Sequence, residues 1–125
     1  MPERRRQARL PWVSMDARVK LKKGLLGSQW IDVDVVDYTR LGMGIITDSE
    51  IKPDSRIAVS LRLGTEVGDI IVDQVVAHVR HSEEQGDGHF YGLAFDEDPG
   101  KGVEESLERI EGILSRHQNL AEKVR

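Results

Sequence analysis

A chain of 125 residues, 38% hydrophobic and 32% charged, is sized for one domain with one core, and no apolar run approaches the roughly 20 residues of a membrane helix, which excludes helical membrane insertion. The absence of cysteine excludes disulfides and thiolate metal sites and suits a reducing cytoplasm. The net charge of −4 is uneven: residues 1 to 27 hold eight Lys/Arg and two Asp/Glu, whereas residues 28 to 125 hold ten and twenty, and an acidic body with a basic start speaks against a general nucleic-acid binder.

Residues 1 to 13 show no period. Arg4, Arg5, Arg6 and Arg9 with Pro2 and Pro11 read as a flexible basic arm, suited to a small anion. No apolar h-region follows the arginines, so the start is not read as a secretory signal. Ala17 to Lys23 alternates, with Val19 and Leu21 on one face. Trp30 to Val36 predicts a second strand with Ile31, Val33 and Val35 inward and Asp32 and Asp34 outward. Asp37 to Gly42 reads as a turn, and Met43 to Thr47 as a third strand. In that turn Asp37 and Thr39 can bond the backbone, Gly42 can take a positive φ, and Gly44 leaves room for a close approach.

Arg56 to Leu63 alternates cleanly, with Ile57, Val59, Leu61 and Leu63 on one face. Asp69 to His81 predicts a long strand whose phase slips between Ile70/Val72 and Val75/Ala77/Val79, as a bulge near Asp73-Gln74 would cause. Glu83 to Gly88 reads as a hairpin loop. His89 to Phe95 returns with Tyr91, Leu93 and Phe95 on one face. Six short strands without intervening helices predict a mainly β fold, an antiparallel barrel or sandwich. After Pro99-Gly100 the period becomes helical through Val103, Leu107, Ile110 and Leu114, which predicts one helix over about 102 to 117 and a fraying tail beyond.

Two stretches carry the functional reading. Arg5 and Arg9 form Arg-x-x-x-Arg on the arm, and Asp37, Thr39 and Gly42 form Asp-x-Thr-x-x-Gly at a strand end. Together they resemble the PilZ domain, a bacterial receptor domain for the second messenger cyclic di-GMP, with threonine where the family usually has serine. The resemblance runs on through Val79-Arg80 and Tyr91-Gly92-Leu93-Ala94-Phe95. It implies a six-stranded antiparallel PilZ-type barrel over residues 14 to 98, a basic arm over 1 to 13, and a C-terminal helix and tail over 99 to 125. It also implies a cytoplasmic signalling receptor, a monomer or weak dimer, that changes conformation on binding and signals to an effector protein. No cofactor is implied besides the ligand itself.

The chemistry fits the residue types. A guanidinium fork matches guanine O6 and N7, and it also pairs with phosphate and stacks on base faces. A carboxylate such as Asp37 can accept from guanine N1 and N2, and the Thr39 hydroxyl can bond a base or a phosphate. Gly42 and Gly44 let a ligand approach the backbone. In the family, an arginine just before Arg-x-x-x-Arg is associated with two stacked ligands, and here that position is Arg4. The alternative is a degenerate family member that binds only protein, as in pilus biogenesis.

Other groups carry less. His78 and His81, three apart on one strand, are expected on opposite faces, with no third metal ligand. Asp96-Glu97-Asp98 lacks calcium-loop spacing. Trp30 reads as core or barrel wall, and Arg80 as structural or an ion-pair partner. No acid/base or nucleophile set is present, so an enzyme is not expected.

Overall fold

The computed structural model describes residues 13–25 and 27–124. Six strands precede one helix: β1 (Val13–Lys23), β2 (Gly27–Thr39), β3 (Gly42–Thr47), β4 (Arg56–Thr65), β5 (Gly68–Gln85), β6 (Gly88–Phe95) and α1 (Lys101–Val124). Every neighbouring pair is antiparallel, and the sheet closes as β1-β2-β3-β6-β5-β4. Closure leaves no strand edge free to template aggregation.

Alternation places the core as the sequence suggests. Val19, Ile45, Val59, Leu61, Leu63 and Val79 are essentially fully buried inside the ring. Each contributes about 1.5–3 kcal/mol of hydrophobic stabilisation. Ile57, Val33, Tyr91, Leu93 and Phe95 join them, whereas Ile31 and Val35 are only partly buried. The expected slip in β5 is a bulge. Val59 pairs with Val75 and Leu61 with Val72, so Asp73 and Gln74 together face Ser60. The extra residue moves the apolar set from Ile70 and Val72 to Val75, Ala77 and Val79 without turning any of them outward.

Helix α1 buries Leu107 and Ile110 against the barrel, next to β5 and β2, with Val103, Ile113 and Leu114 packed beside them. It starts after Gly100, whose carbonyl accepts the Glu104 N–H at 2.9 Å. The helix continues to Val124, past the expected end at 117, because the polar run that follows contains no glycine or proline to stop it. The span read as a loop from Glu83 to Gly88 is mostly strand: pairing continues to Gln85↔Gly88, and only Gly86 and Asp87 turn. Gly86 has φ +58°, which that tight turn needs.

Candidate functional site

The segment Asp37–Gly42 is the end of a hairpin rather than a long turn. Thr39 pairs with Gly42, leaving Arg40 and Leu41 as the two-residue loop. What aims its side chains is a second bulge. Val35 pairs with Ile45 and Asp37 with Gly44, so Val36 is the extra residue of that bulge. By strict alternation Asp37 would follow Val33 and Val35 into the core. The extra residue reverses the phase. Asp37 and Thr39 are exposed outside, and Tyr38 turns inward.

Local hydrogen bonds hold this arrangement. The Asp37 carboxylate accepts the Gly44 N–H at 2.9 Å through Oδ1. The Thr39 hydroxyl accepts the Leu41 N–H at 3.1 Å and donates to the Gly42 carbonyl at 3.5 Å. Both side chains therefore bond the hairpin backbone, as expected of Asp and Thr there. Among the described residues, Oδ2 of Asp37 has no hydrogen-bond partner.

Tyr38 couples the hairpin to α1. Its hydroxyl donates to the Leu107 carbonyl at 2.9 Å, and its ring lies 6.1 Å from that of Phe95. Burial, with the nearby Glu111 charge, pushes its phenol well above the usual tyrosine range. Arg40 adds two contacts. Its N–H donates to Glu111 Oε2 at 3.0 Å, and its guanidinium reaches Glu108 Oε2 at 3.5 Å. The sequence reading gave Tyr38 no role, because it placed the residue in a turn, and its inward direction depends on the bulge at Val36.

The glycines serve a different purpose from the one expected at Gly42. Gly42 does not have a positive φ. It is glycine because the Leu93 carbonyl occupies the space a Cβ would need, with Ala94 Cα only 3.2 Å away. At Gly44 the close approach is real. A Cβ there would lie 2.9 Å from the Phe90 ring and 3.1 Å from Asp37 Oδ1.

Across the sheet Gly42 pairs with Ala94, and Gly44 with Gly92. On β5 a third bulge repeats the phase change. Val79 pairs with Leu93 and His81 with Gly92, so Arg80 is the inserted residue. His78 pairs with Ala94, on the same face as Gly92. His78 and His81 thus share the outer face, which corrects the expectation from strict alternation. Nevertheless, no group of three potential metal ligands exists among the described residues. Arg80 is exposed, and among the described residues it has no ion pair.

The result is a shallow trough on the outside of the barrel. Its floor is Gly42, Gly44, Gly92 and Ala94. One wall is Asp37 and Thr39 on β2, and the other is His78, Arg80 and His81 on β5. Phe90 lies over Gly44, with its ring 6.0 Å from that of His81, and His81 Nε2 contacts Glu83 at 2.8 Å. Arg4, Arg5 and Arg9, the expected arm ligands, lie outside the described residues.

The model of the PilZ domain family matches residues 3–111. The chain belongs to the PilZ domain family. Among solved structures it is similar to YcgR in complex with c-di-GMP from Escherichia coli, with 22% identity and a TM-score of 0.59 over 88% of this chain. It spans less than half of that protein, 46% of its chain. It is also similar to the PilZ domain of YcgR from Escherichia coli with c-di-GMP, at 17% identity and a TM-score of 0.61, covering 97% of this chain and 98% of that one. At these identities the likeness shows the PilZ fold. No curated protein matches the chain in sequence. Among the described residues no helix is long and apolar enough to cross a membrane.

Proposed function

We propose that this PilZ domain is a cyclic di-GMP receptor that changes conformation on binding and presents the change to an effector protein. The observation that carries the reading is the bulge at Val36. It turns Asp37 and Thr39 out beside Gly42, Gly92 and Ala94, small residues that leave room for a flat base. Asp37 Oδ1 is held by Gly44, so the carboxylate is positioned in advance to accept guanine N1 and N2 protons. Thr39 retains the hydroxyl of the usual serine, and its spare acceptor capacity serves a base or a phosphate.

Arg5 and Arg9 clamp the ligand from the arm side, and Arg4 adds a third guanidinium that supports two stacked nucleotides per chain. Ordering the arm costs chain entropy, which the charge-assisted contacts offset. The route outward runs through the hairpin. Tyr38 and Arg40 tie it to α1, so a shift at Asp37 or Thr39 reaches the helix surface. The site reads as a binding site without catalytic machinery, and the domain as a cytoplasmic signalling module.

Calorimetric titration of the full chain with cyclic di-GMP tests this. Saturable binding at two nucleotides per chain is expected, with Arg4→Leu moving it toward one. Arg5→Ala or Arg9→Ala should each weaken binding at least about tenfold, since each removes a charge-assisted fork worth about 1.5–3 kcal/mol. Absence of binding by the unaltered chain, or full affinity in both variants, would overturn the reading.

A further inference from the structure

Asp37 and Thr39 occupy one wall of the trough, and the other wall has no assigned role. We propose that Arg80 on β5 and Phe90 on β6 form a second half of the ligand site, Arg80 holding a phosphate and Phe90 stacking on a guanine. This rests on the cyclic di-GMP reading above and names residues that neither motif contains.

Three observations converge. The first is register. The bulge at Arg80 keeps β5 in contact with β6 while bringing His81 to the outer face beside Gly92. It also leaves Arg80 exposed between two residues of that face, whereas Val79 stays buried. Bulges re-aim side chains next to functional sites, and this one lies opposite the bulge that turns Asp37 outward. Both flank the same Gly44↔Gly92 pair. The walls stand three strand spacings apart, about 14 Å along the sheet, with Gly42, Gly92, Ala94 and the Phe90 ring over Gly44 between them. The small residues Gly42, Gly92 and Ala94 leave room for a planar ligand beside that ring.

The second observation is charge. Every other arginine with a described side chain, apart from Arg109 and Arg116, has a carboxylate partner: Arg18 with Asp32, Arg40 with Glu108, Arg56 with Asp96, and Arg62 with Asp16 and Asp69. Arg109 and Arg116 lie on α1. Arg80 is thus the barrel arginine whose charge is not already neutralised by a carboxylate within the described residues. The ligand supplies two phosphates. Among the carboxylates here, Glu83 is engaged by His81 at 2.8 Å and Asp37 by the Gly44 N–H.

The third observation is the aromatic ring. Phe90 is half-buried, pressed on Gly44 and set edge-on to His81. Those contacts fix its plane and leave part of it in solvent. A ring fixed in advance loses little rotamer freedom when a base stacks on it. Its contact with Gly44 makes it continuous with Asp37, which bonds the same residue.

The test is calorimetry on the full chain with cyclic di-GMP at low and high salt, for the unaltered protein, Arg80→Gln, Phe90→Leu, Phe90→Tyr and Arg9→Ala. Arg80→Gln should weaken binding about tenfold and flatten its salt dependence, because one phosphate contact is lost. Phe90→Leu should weaken binding about fivefold or more without altering the salt dependence, and Phe90→Tyr should restore it, since stacking needs a ring and not a particular substituent. Backbone amide shifts of Arg80 and His81 in the unaltered protein should move with ligand, which checks the wall without any substitution. If Arg80→Gln and Phe90→Leu bind normally, or these amides stay still while Arg9→Ala abolishes binding, the second wall is wrong and the motif wall stands. If the unaltered chain does not bind, the receptor reading falls and the wall with it.

Discussion

The barrel has two outer faces built on opposite plans. Around β1, β2 and β4 the strands are laced by side chains. Arg18 Nε meets Asp32 at 3.1 Å, Arg62 reaches Asp16 at 3.0 Å and Asp69 at 2.9 Å, and Lys20 sits 5.8 Å over the Trp30 ring. Across β3 and β6 there is no such lacing among the described residues. Gly42, Gly92 and Ala94 offer little or no side chain to pair across strands, and Gly44 lies buried beneath the Phe90 ring. Cross-strand pairs are the usual stabilising unit of a sheet, so the second face forgoes what the first uses. The difference teaches where to look for function. A closed barrel can leave one stretch of wall unlaced because its core and its neighbouring strands hold it in place, and the unlaced stretch is where we propose that the ligand binds.

The largest effect should come from adding one carbon to the bare face. At Gly42 a Cβ would overlap the Leu93 carbonyl oxygen and stand 3.1 Å from the carbonyl carbon. These are backbone atoms of a paired strand and cannot rotate away. Gly42→Ala should cost about 3 kcal/mol, the upper end for overpacking. Gly102→Ala, at the start of α1 with open space around it, should instead stabilise by up to about 1 kcal/mol. Thermal melting of both variants decides the matter. An unchanged melting temperature for Gly42→Ala would mean that β3 and β6 are not held as close as the bare floor requires.

Much of the barrel was legible because its core obeys a period. The alternation of Ile57, Val59, Leu61 and Leu63 marked β4, and the slip from Val72 to Val75 located the first bulge. The other two bulges were not legible, for a physical reason. Val36 is apolar and follows Val35, so the insertion looks like a continuing strand. Arg80 and His81 are both polar and carry no period to slip. Those two bulges decide the outer face, so the motif residues were found while the wall facing them was not. Glu83, Glu84 and Gln85 were read as loop because both faces of that ribbon meet water and no alternation remains. Their pairing with Gly88, His89 and Phe90 is set by the Gly86-Asp87 turn. Gly42 was recognised as necessary, but its reason is a neighbouring strand that local sequence cannot show.

A smaller effect separates the hairpin's inward anchor from its outward ligand side. Tyr38→Phe removes the hydrogen bond to the Leu107 carbonyl and should cost about 1 kcal/mol near neutral pH. The pH dependence gives the sharper sign. Burial raises the Tyr38 pKa in the folded chain, so above about pH 10 the unfolded chain ionises first and binds fewer protons. Stability from the neutral phenol is full below that pH and falls as pH rises further. Phenylalanine has no such loss, so urea melts should show the gap between the two proteins narrowing above about pH 10. A gap that stays constant would place Tyr38 in water. Cyclic di-GMP should still bind the variant, because the lost hydroxyl faces the helix.

The smallest effect belongs to the laced face. Arg62 joins Asp16 on β1 to Asp69 on β5, yet half its side chain is exposed, and its partners are 52% and 36% exposed. Pairs at such exposure contribute about 0–1 kcal/mol each and are screened by salt. The methylene stem of Arg62 also covers the sheet, and methionine keeps most of that contact. Arg62→Met should therefore lower stability by less than about 1 kcal/mol in urea titrations, with the deficit shrinking at high salt. Its cyclic di-GMP affinity should match that of the unaltered chain, since β4 does not border the trough. That contrast with Arg80 is the informative part. Two exposed barrel arginines of equal formal charge differ in whether carboxylates already neutralise them. If removing Arg62 weakened the ligand as much as removing Arg80, the attraction would be the diffuse field of the whole barrel, and the division between a laced face and a binding face would not hold.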